Sequence, residues 1–337
     1  MKKIKVLFFM HKISGGGAQR VVQKVTSNLD ANTYDITHAS LESSKKTSVN
    51  GVRYVKFEKS RVLTSIFDLY RLVKELNPKY VFSSMPHTSI VCLLVCKIKN
   101  IKFIYRESNY INYVTKKSLS WKLIYKLIYR FSDVIISQSY AMETENFNYL
   151  GIKKERSVVI NNPVEFVELS NKEIYSIDKN KYNFVYIGRN NWQKGTDLLL
   201  SEDLIIPDGA LLHIVGFEKP EGFNGKKIKF WGYLDEPYQL LASCDCLILP
   251  SRFEGFPNVL LEAMYFGKKI IVNKCKGIDV DLCKSYGGVT FLDELSTKDI
   301  NVSMHLIINS TQTEVNKSVL NDFSLDKVIL EYNKLFN

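Results

Sequence analysis

The chain has 337 residues, 45% of them hydrophobic and 24% charged, with a formal net charge of +11. That composition excludes a disordered or low-complexity chain and suits two globular domains that each bury a core. The longest internal apolar stretch, SIVCLLVCKI, is too short to span a bilayer, and the six cysteines show no metal spacing, so reduced thiols in a cytoplasmic protein are expected.

The charge is uneven. Residues 1–160 hold 27 Lys and Arg against 11 Asp and Glu, a net of +16, whereas residues 161–337 carry a net of −5. A basic half joined to a mildly acidic half points to one domain facing a polyanion or an anionic membrane surface; the plain alternative is an arbitrary solvated face.

At the start, MKKIKVLFFM reads as a first strand rather than an export signal. Next comes Ser14-Gly15-Gly16-Gly17-Ala18, before a helical pattern. Glycines there let backbone approach a phosphate closely. The turn is neither G-x-G-x-x-G nor a P-loop, and alone it fits a flexible connection equally well. Strand-like runs then alternate with helical ones. Strands are expected over 34–40, 52–57, 80–85, 101–107, 133–139 and 157–163, with helices over 18–28, 63–76, 88–97, 119–131 and 140–150. The second half gives strands over 183–188, 210–216, 228–233, 246–251, 269–273 and 287–292, and helices over 195–204, 237–242, 258–266 and 295–310. This is α/β order with parallel sheets. A seam falls near Asn161, Asn162 and Pro163. The division is therefore 1–163 and 164–322, with the amphipathic segment 323–337 returning to the first domain or packing on the second.

In KKSLSWKLIYKLIYRF (116–131), Lys122, Lys126 and Arg130 share one helical stripe, while Trp121, Leu123, Ile124, Leu127, Ile128 and Phe131 fill much of the rest. Such a helix lies on anionic lipid or packs its apolar side inward; the two are compatible.

Two later segments carry the chemistry. YIGRNNWQKG puts Arg189 and Lys194 just beyond a strand end. Arg holds phosphate bidentately and Lys acts as a point charge, so the pair suits a departing diphosphate. In SRFEGFPNVLLEAM, Glu254 lies in the loop after a short buried strand, Pro257 suits the first helical position, and Glu262 lies further along the helix, which Gly267 stops. Free amides at that helix start attract anions. Carboxylates on either side of such a site fit a ligand with hydroxyls at both ends and phosphate between.

These segments, together with SGGGAQRVV after the first strand and NNPV at the seam, resemble family 4 of the glycosyltransferases over essentially the whole chain. That resemblance implies retaining enzymes of the GT-B fold, two Rossmann-like domains with parallel sheets facing across a cleft. It implies donor binding by the second domain and acceptor binding by the first. Arg189 and Lys194 would contact the donor diphosphate and Glu254 the donor sugar, with the amides of Gly255, Phe256, Pro257, Asn258 and Val259 nearby and Glu262 at the ribose. Gly16 and Gly17 would meet the phosphate, and Trp231 and Tyr233 would flank the base. The scheme needs no metal, no cofactor and no carboxylate nucleophile.

The chain departs from the family at one point. Many members carry a histidine after a middle strand of the first domain, where this sequence reads YRESN, so Arg106, Glu107 and the nearby His87 are the candidates for the sugar or acceptor side. Asp279-Val280-Asp281 has the form of a metal-binding triplet but reads as surface or sugar-loop acid.

The expectation is a transferase of a hexosyl or N-acetylhexosaminyl unit, UDP-linked by family habit, acting on a lipid-diphosphate-linked glycan at the inner face of the plasma membrane, with no nucleic-acid partner. The rivals are a GT-B epimerase or phosphorylase, and a non-catalytic polyanion- or membrane-binding protein.

Overall fold

The computed structural model describes residues 2–13, 16–42, 51–115, 118–164, 175–235, 237–310 and 314–337. Ser14 and Gly15 of the glycine turn, Lys116 and Lys117 of the basic run, and seam residues 165–174 lie outside them. The chain divides into two compact units, Met1–Pro163 with Leu325–Asn337, and Val164–Ser324.

Among the described residues the first unit holds a seven-stranded, wholly parallel sheet. Its strands are β1 (Ile4–Lys12), β2 (Tyr34–Glu42), β3 (Val52–Lys56), β4 (Tyr80–Ser83), β5 (Lys102–Arg106), β6 (Val134–Ser137) and β7 (Ser157–Val159), in the order β3-β2-β1-β4-β5-β6-β7. Helices cover both faces, which is why Val6 to Met10 of β1 are all buried and read as an unbroken apolar run. On one face lie α2 (Ile66–Leu76), α3 (Pro86–Lys99), α5 (Leu119–Phe131) and α6 (Tyr140–Leu150), whose Leu69, Val91, Ile128 and Phe147 share a core with Leu7, Val81 and Tyr105. On the other lie α1 (Gly17–Asn28) and the returning α12 (Leu325–Phe336), which sets Val328, Tyr332 and Phe336 against Phe8, Tyr80 and Phe82. A short α4 (Ile111–Thr115) follows β5.

The second unit holds a six-stranded parallel sheet, in the order β10-β9-β8-β11-β12-β13. Its strands are β8 (Tyr182–Ile187), β9 (Ala210–Val215), β10 (Ile228–Phe230), β11 (Cys246–Leu249), β12 (Lys269–Asn273) and β13 (Val289–Leu292). Between them run α7 (Thr196–Leu199), α8 (Tyr238–Ser243), α9 (Asn258–Tyr265) and α10 (Val280–Tyr286), with α11 (Thr297–Asn309) after the last strand.

Several expected limits move for physical reasons. The helix expected over 195–204 stops at Leu199, because Asn301 of α11 captures the next turn by bonding Ile205 N (2.9 Å) and Asp203 O (2.9 Å). β7 ends at Val159, since the seam is held by side chains: Asn161 donates to Gln138 O (2.8 Å) and Asn162 to Gln138 Oε1 (3.2 Å). Pro257 stands just before α9 rather than as its first residue. Asp279 caps α10, accepting from Leu282 N at 2.9 Å, so it serves the helix rather than a sugar loop. Lys122 leaves the expected cationic stripe; it is half-buried, its ammonium 4.2 Å from the Tyr149 ring centroid.

In both sheets the order of the strands reverses once. A parallel sheet of this kind binds ligands at the carboxyl ends of the strands where the order reverses. In the first unit that point lies between β1 and β4, and in the second between β8 and β11.

Candidate functional site

The reversal in the second unit gathers the two segments singled out from sequence. The ends of β8 and β9 each need a glycine. A Cβ on Gly188 would stand 2.5 Å from Tyr186 Oη, and Gly216 (φ +116) lies so close that a Cβ there would stand 2.1 Å from Gly188 O. The Tyr186 hydroxyl donates to Arg189 O at 3.1 Å, fixing the loop base while the Arg189 side chain stays exposed. Asn191 caps the next turn by accepting from Lys194 N (3.0 Å), and Thr196 Oγ1 donates to Asn190 Oδ1 (2.8 Å).

Lys194 then points at the loop after β11. Its ammonium lies 2.7 Å from Glu254 Oε1 and 2.8 Å from Oε2, and Ser251 Oγ donates to Oε1 at 2.6 Å. Only 5% of the Glu254 side chain and 17% of the Lys194 side chain are exposed, so the pair is an interior ion pair with its carboxylate well satisfied. A second clamp lies outside it. Arg252 grips Asp197 bidentately, Nη1–Oδ1 and Nη2–Oδ2 both 2.7 Å, and stacks over Trp192 at 4.5 Å. The Arg252 hydrogen bonds hold the Asp197 carboxyl below its ordinary range. Backbone joins in: Arg252 N donates to Gln193 O (2.8 Å), and Gln193 Nε2 to Phe253 O (3.1 Å).

A third loop, after β12, supports Glu254 from behind. Glu254 N donates to Lys276 O at 2.8 Å, and Asn273 Nδ2 to Ser251 O at 2.9 Å. Gly277 (φ +88) must be glycine, because a Cβ would stand 2.2 Å from Glu254 O; Gly195 (φ +70) likewise would place one 2.0 Å from Pro250 O. Burial, followed by the Glu254 charge, pushes the nearby Cys275 thiol up to about 12, so it stays protonated.

From Glu254 the chain runs straight into α9. Gly255, Pro257 and Val259 are buried, Asn258 is half-buried at the first helical position, and Glu262 is half-buried one turn on. Phe256 stacks on Phe323 (5.7 Å between centroids, 27°), so its ring serves packing. Trp231 follows β10, two strands from the reversal. Its indole N–H donates to His213 Nδ1 (3.0 Å), its ring meets Tyr175 edge-on (5.3 Å), and Lys229 lies over it at 3.9 Å. Tyr233 is exposed.

In the first unit the reversal brings His11, at the end of β1, against His87, on the first turn of α3. Their rings meet edge-to-face at 5.7 Å, and Glu42 Oε1 lies 3.6 Å from His11 Nε2. Burial, then the His11 charge, lowers the His87 pKa, which keeps it neutral at pH 7. Sequence reasoning named His87 but passed over His11 and Glu42; they become visible only once β2, β1 and β4 are known to be neighbours. Gly16 lies at the same strand ends as the N-cap of α1, with ordinary extended backbone (φ −137).

Arg106 and Glu107 are not brought together. Successive strand residues face opposite ways, and both side chains are buried. Arg106 lies on the α12 side, near Tyr332, where it donates to Asn162 Oδ1 while its Nε and Nη1 find no partner. Glu107 lies on the α5 side and accepts from Tyr105 Oη (2.8 Å), Ser108 N (2.8 Å) and Asn109 N (2.9 Å). Burial pushes its carboxyl up to about 7. Neither lines an open sugar site; Arg106 is tied to the seam at Asn162 and Glu107 to the loop after β5.

Two units, each a Rossmann-like parallel sheet, make up the architecture of the GT-B glycosyltransferases. Residues 181–292 match the family model described as "Glycosyl transferases group 1", and residues 15–167 the model "Glycosyltransferase Family 4". The chain belongs to these glycosyltransferases, with a domain of each kind. It is 27% identical over 312 residues (82% of this chain, 81% of the relative) to the N,N'-diacetylbacillosaminyl-diphospho-undecaprenol alpha-1,3-N-acetylgalactosaminyltransferase of Campylobacter jejuni. It is 22% identical over 308 residues (81% and 79%) to the UDP-Gal:alpha-D-GlcNAc-diphosphoundecaprenol alpha-1,3-galactosyltransferase of Escherichia coli. Among solved structures, Anabaena HepE in complex with UDP and glucose superposes with a TM-score of 0.83 at 16% identity, over 98% of this chain and 99% of that one.

Proposed function

We propose that this glycosyltransferase moves a hexosyl or N-acetylhexosaminyl unit from a UDP-sugar to a lipid-diphosphate-linked glycan, with retention and without a metal. The observation that carries the reading is the buried Lys194–Glu254 pair beside Arg189 and the start of α9. The names of the two relatives support it: both specify α-linked transfer to a diphospho-undecaprenol-linked sugar, and one specifies UDP-Gal.

In this reading the ammonium of Lys194 directs two hydrogens at Glu254 and offers the third to a diphosphate oxygen. Arg189, exposed and on a fixed loop base, swings onto the same diphosphate. Two cations there stabilise the negative charge that builds as the nucleoside diphosphate leaves, the moment at which such stabilisation accelerates the reaction. Glu254, held still by Ser251 and Lys194, accepts from sugar hydroxyls, while Glu262 accepts from the ribose diol. The acceptor hydroxyl attacks on the face the diphosphate leaves, and its proton passes to a donor phosphate oxygen. No carboxylate becomes covalently linked. Among the first-unit candidates, His87 with its neighbour His11 is the group we assign to the acceptor side.

The work takes place at the inner face of the plasma membrane, where lipid-linked acceptors lie. No helix of the described residues is long and apolar enough to cross a membrane; the basic first unit supplies the attachment. A panel of UDP- and GDP-sugars, offered with a lipid-diphosphate glycan and read by mass analysis of the lipid product, tests the reading. A mass gain of one sugar from a single UDP-sugar is expected, with an α anomeric signal in the NMR spectrum of the product. Release of free nucleotide and sugar in every case, with no lipid product, contradicts it.

A further inference from the structure

At the amino ends of the central strands of the first sheet, opposite the carboxyl ends where the order reverses, a cavity of about 530 Å3 opens between the starts of β1, β4 and β5. Six of its lining residues are lysines, Lys2, Lys3, Lys5, Lys79, Lys99 and Lys102, and no acidic side chain lines it. Some of these serve the fold: Lys5 donates to Leu76 O (3.0 Å), Lys79 to Asn337 O (3.2 Å), and Lys99 lies 4.4 Å from the Tyr70 ring centroid. Among the described residues none of the six pairs with an Asp or Glu side chain, and Lys2, Lys3 and Lys102 are exposed. Like charges crowded about one hollow repel one another, and a bound polyanion relieves that repulsion.

The surroundings identify the anion's carrier. Between residues 76 and 132 the one carboxylate is Glu107, which is buried, against ten Lys and Arg. Next to the cavity, the last turns of α3 expose Leu94 (49%) and Ile98 (69%), with Lys97 and Lys99 on either side of Ile98. On the adjacent α5, Leu119, Leu123, Leu127 and Phe131 form an exposed stripe at four-residue spacing, with Lys126 and Arg130 along it. A free phosphate uses the lysines only. A membrane surface uses both, with its phosphates on the lysines and its acyl chains on the leucines, isoleucine and phenylalanine.

We infer that the lysine-lined cavity holds the phosphate headgroups of anionic lipids, seating the first unit on the bilayer with the exposed apolar residues of α3 and α5 entering it. This rests on the membrane attachment proposed above and adds where it occurs. The test is sedimentation with phosphatidylcholine vesicles with and without phosphatidylglycerol, for the full chain and for a Lys2→Gln, Lys3→Gln, Lys102→Gln triple variant. Wild type is expected to sediment only with the anionic vesicles, and the triple variant to bind them about a hundredfold more weakly. A Lys226→Gln, Lys284→Gln, Lys298→Gln variant of the second unit, with the same charge change, is expected to bind as wild type does. A Leu94→Ser, Ile98→Ser variant is expected to lose vesicle binding while keeping any affinity for inorganic pyrophosphate. Wild type that ignores both kinds of vesicle removes the membrane attachment altogether. Equal binding by wild type and the first triple variant leaves attachment standing and overturns the cavity assignment. Pyrophosphate binding that needs the three lysines, in a protein indifferent to vesicles, reassigns the cavity to a free anion.

Discussion

Lys194 Nζ lies within 2.8 Å of both carboxylate oxygens of Glu254, tying the loop after β8 to the loop after β11 where the second sheet reverses. Removing one partner of a buried pair leaves the other charge uncompensated. Lys194→Met is therefore expected to destabilise the second unit by about 3 kcal/mol, and pairing it with Glu254→Gln to recover part of that loss. Hydrogen exchange of the β8 and β11 amides reads the change locally. Additive losses in the double variant would show that the two groups act independently.

The loops also depend on two glycines. Gly195→Ala and Gly277→Ala drive a methyl into backbone oxygen at positive φ, whereas Gly151 (φ +62) has nothing within 4 Å of its added Cβ. Gly151→Ala is thus expected to cost about 1 kcal/mol from backbone conformation alone, and the other two considerably more, with transfer activity falling alongside. Thermal midpoints of the three variants give the comparison; three equal shifts would mean that the close approaches are not needed.

Gly16 behaves differently. Its added Cβ meets only the amide end of the Gln19 side chain, and its backbone is ordinary. Gly16→Ala is expected to lower the thermal midpoint by only a few degrees, the loss of a glycine N-cap, yet to raise KM for the nucleotide sugar. An unchanged KM would remove Gly16 from the donor site.

Acid is expected to weaken both units through two buried histidines. Burial pushes His38 and His213 down to about 4, against 6.5 for a free side chain. Below pH 6.5 the unfolded chain takes up protons that the folded one refuses, so stability is whole above 6.5 and is lost as pH falls towards 4, by about 3 kcal/mol per histidine. His213 has both nitrogens engaged, accepting from Trp231 and bonding Asn183 Oδ1 at 2.9 Å, while His38 has neither nitrogen partnered and stacks on Tyr54. His38→Phe is expected to lose less stability than wild type between pH 7 and pH 4.5 in urea unfolding. Equal losses would clear His38.

Much of this was legible in the sequence. Unbroken apolar runs such as Val6 to Met10 announce strands covered on both faces, and Arg189, Lys194 and Glu254 stand out because they follow strand ends, with Glu262 one turn into the helix that comes next. The remainder needed long-range information. That Lys194 meets Glu254 rather than pointing alone at a phosphate depends on β8 and β11 being neighbours. His11 beside His87 depends on β1 pairing with β4. Arg106 and Glu107 look like a site pair only until the alternation of β5 sends them to opposite faces. α10 and α4 have only seven and five residues, too few for a clear periodic signal, and distant groups such as Asn146 Oδ1, which accepts from Ile111 N (2.8 Å), help to hold them.

In the proposed reaction Arg189, Lys194 and Glu254 act together on the donor as its nucleoside diphosphate departs. The most direct test is single-turnover transfer from the preferred UDP-sugar by Arg189→Ala, Lys194→Ala and Glu254→Ala, each first confirmed folded by hydrogen exchange. Rate losses of about a hundredfold or more are expected for each, with Arg189→Ala as stable as wild type because its side chain is exposed. Turnover at the wild-type rate in folded Lys194→Ala or Glu254→Ala would contradict the account.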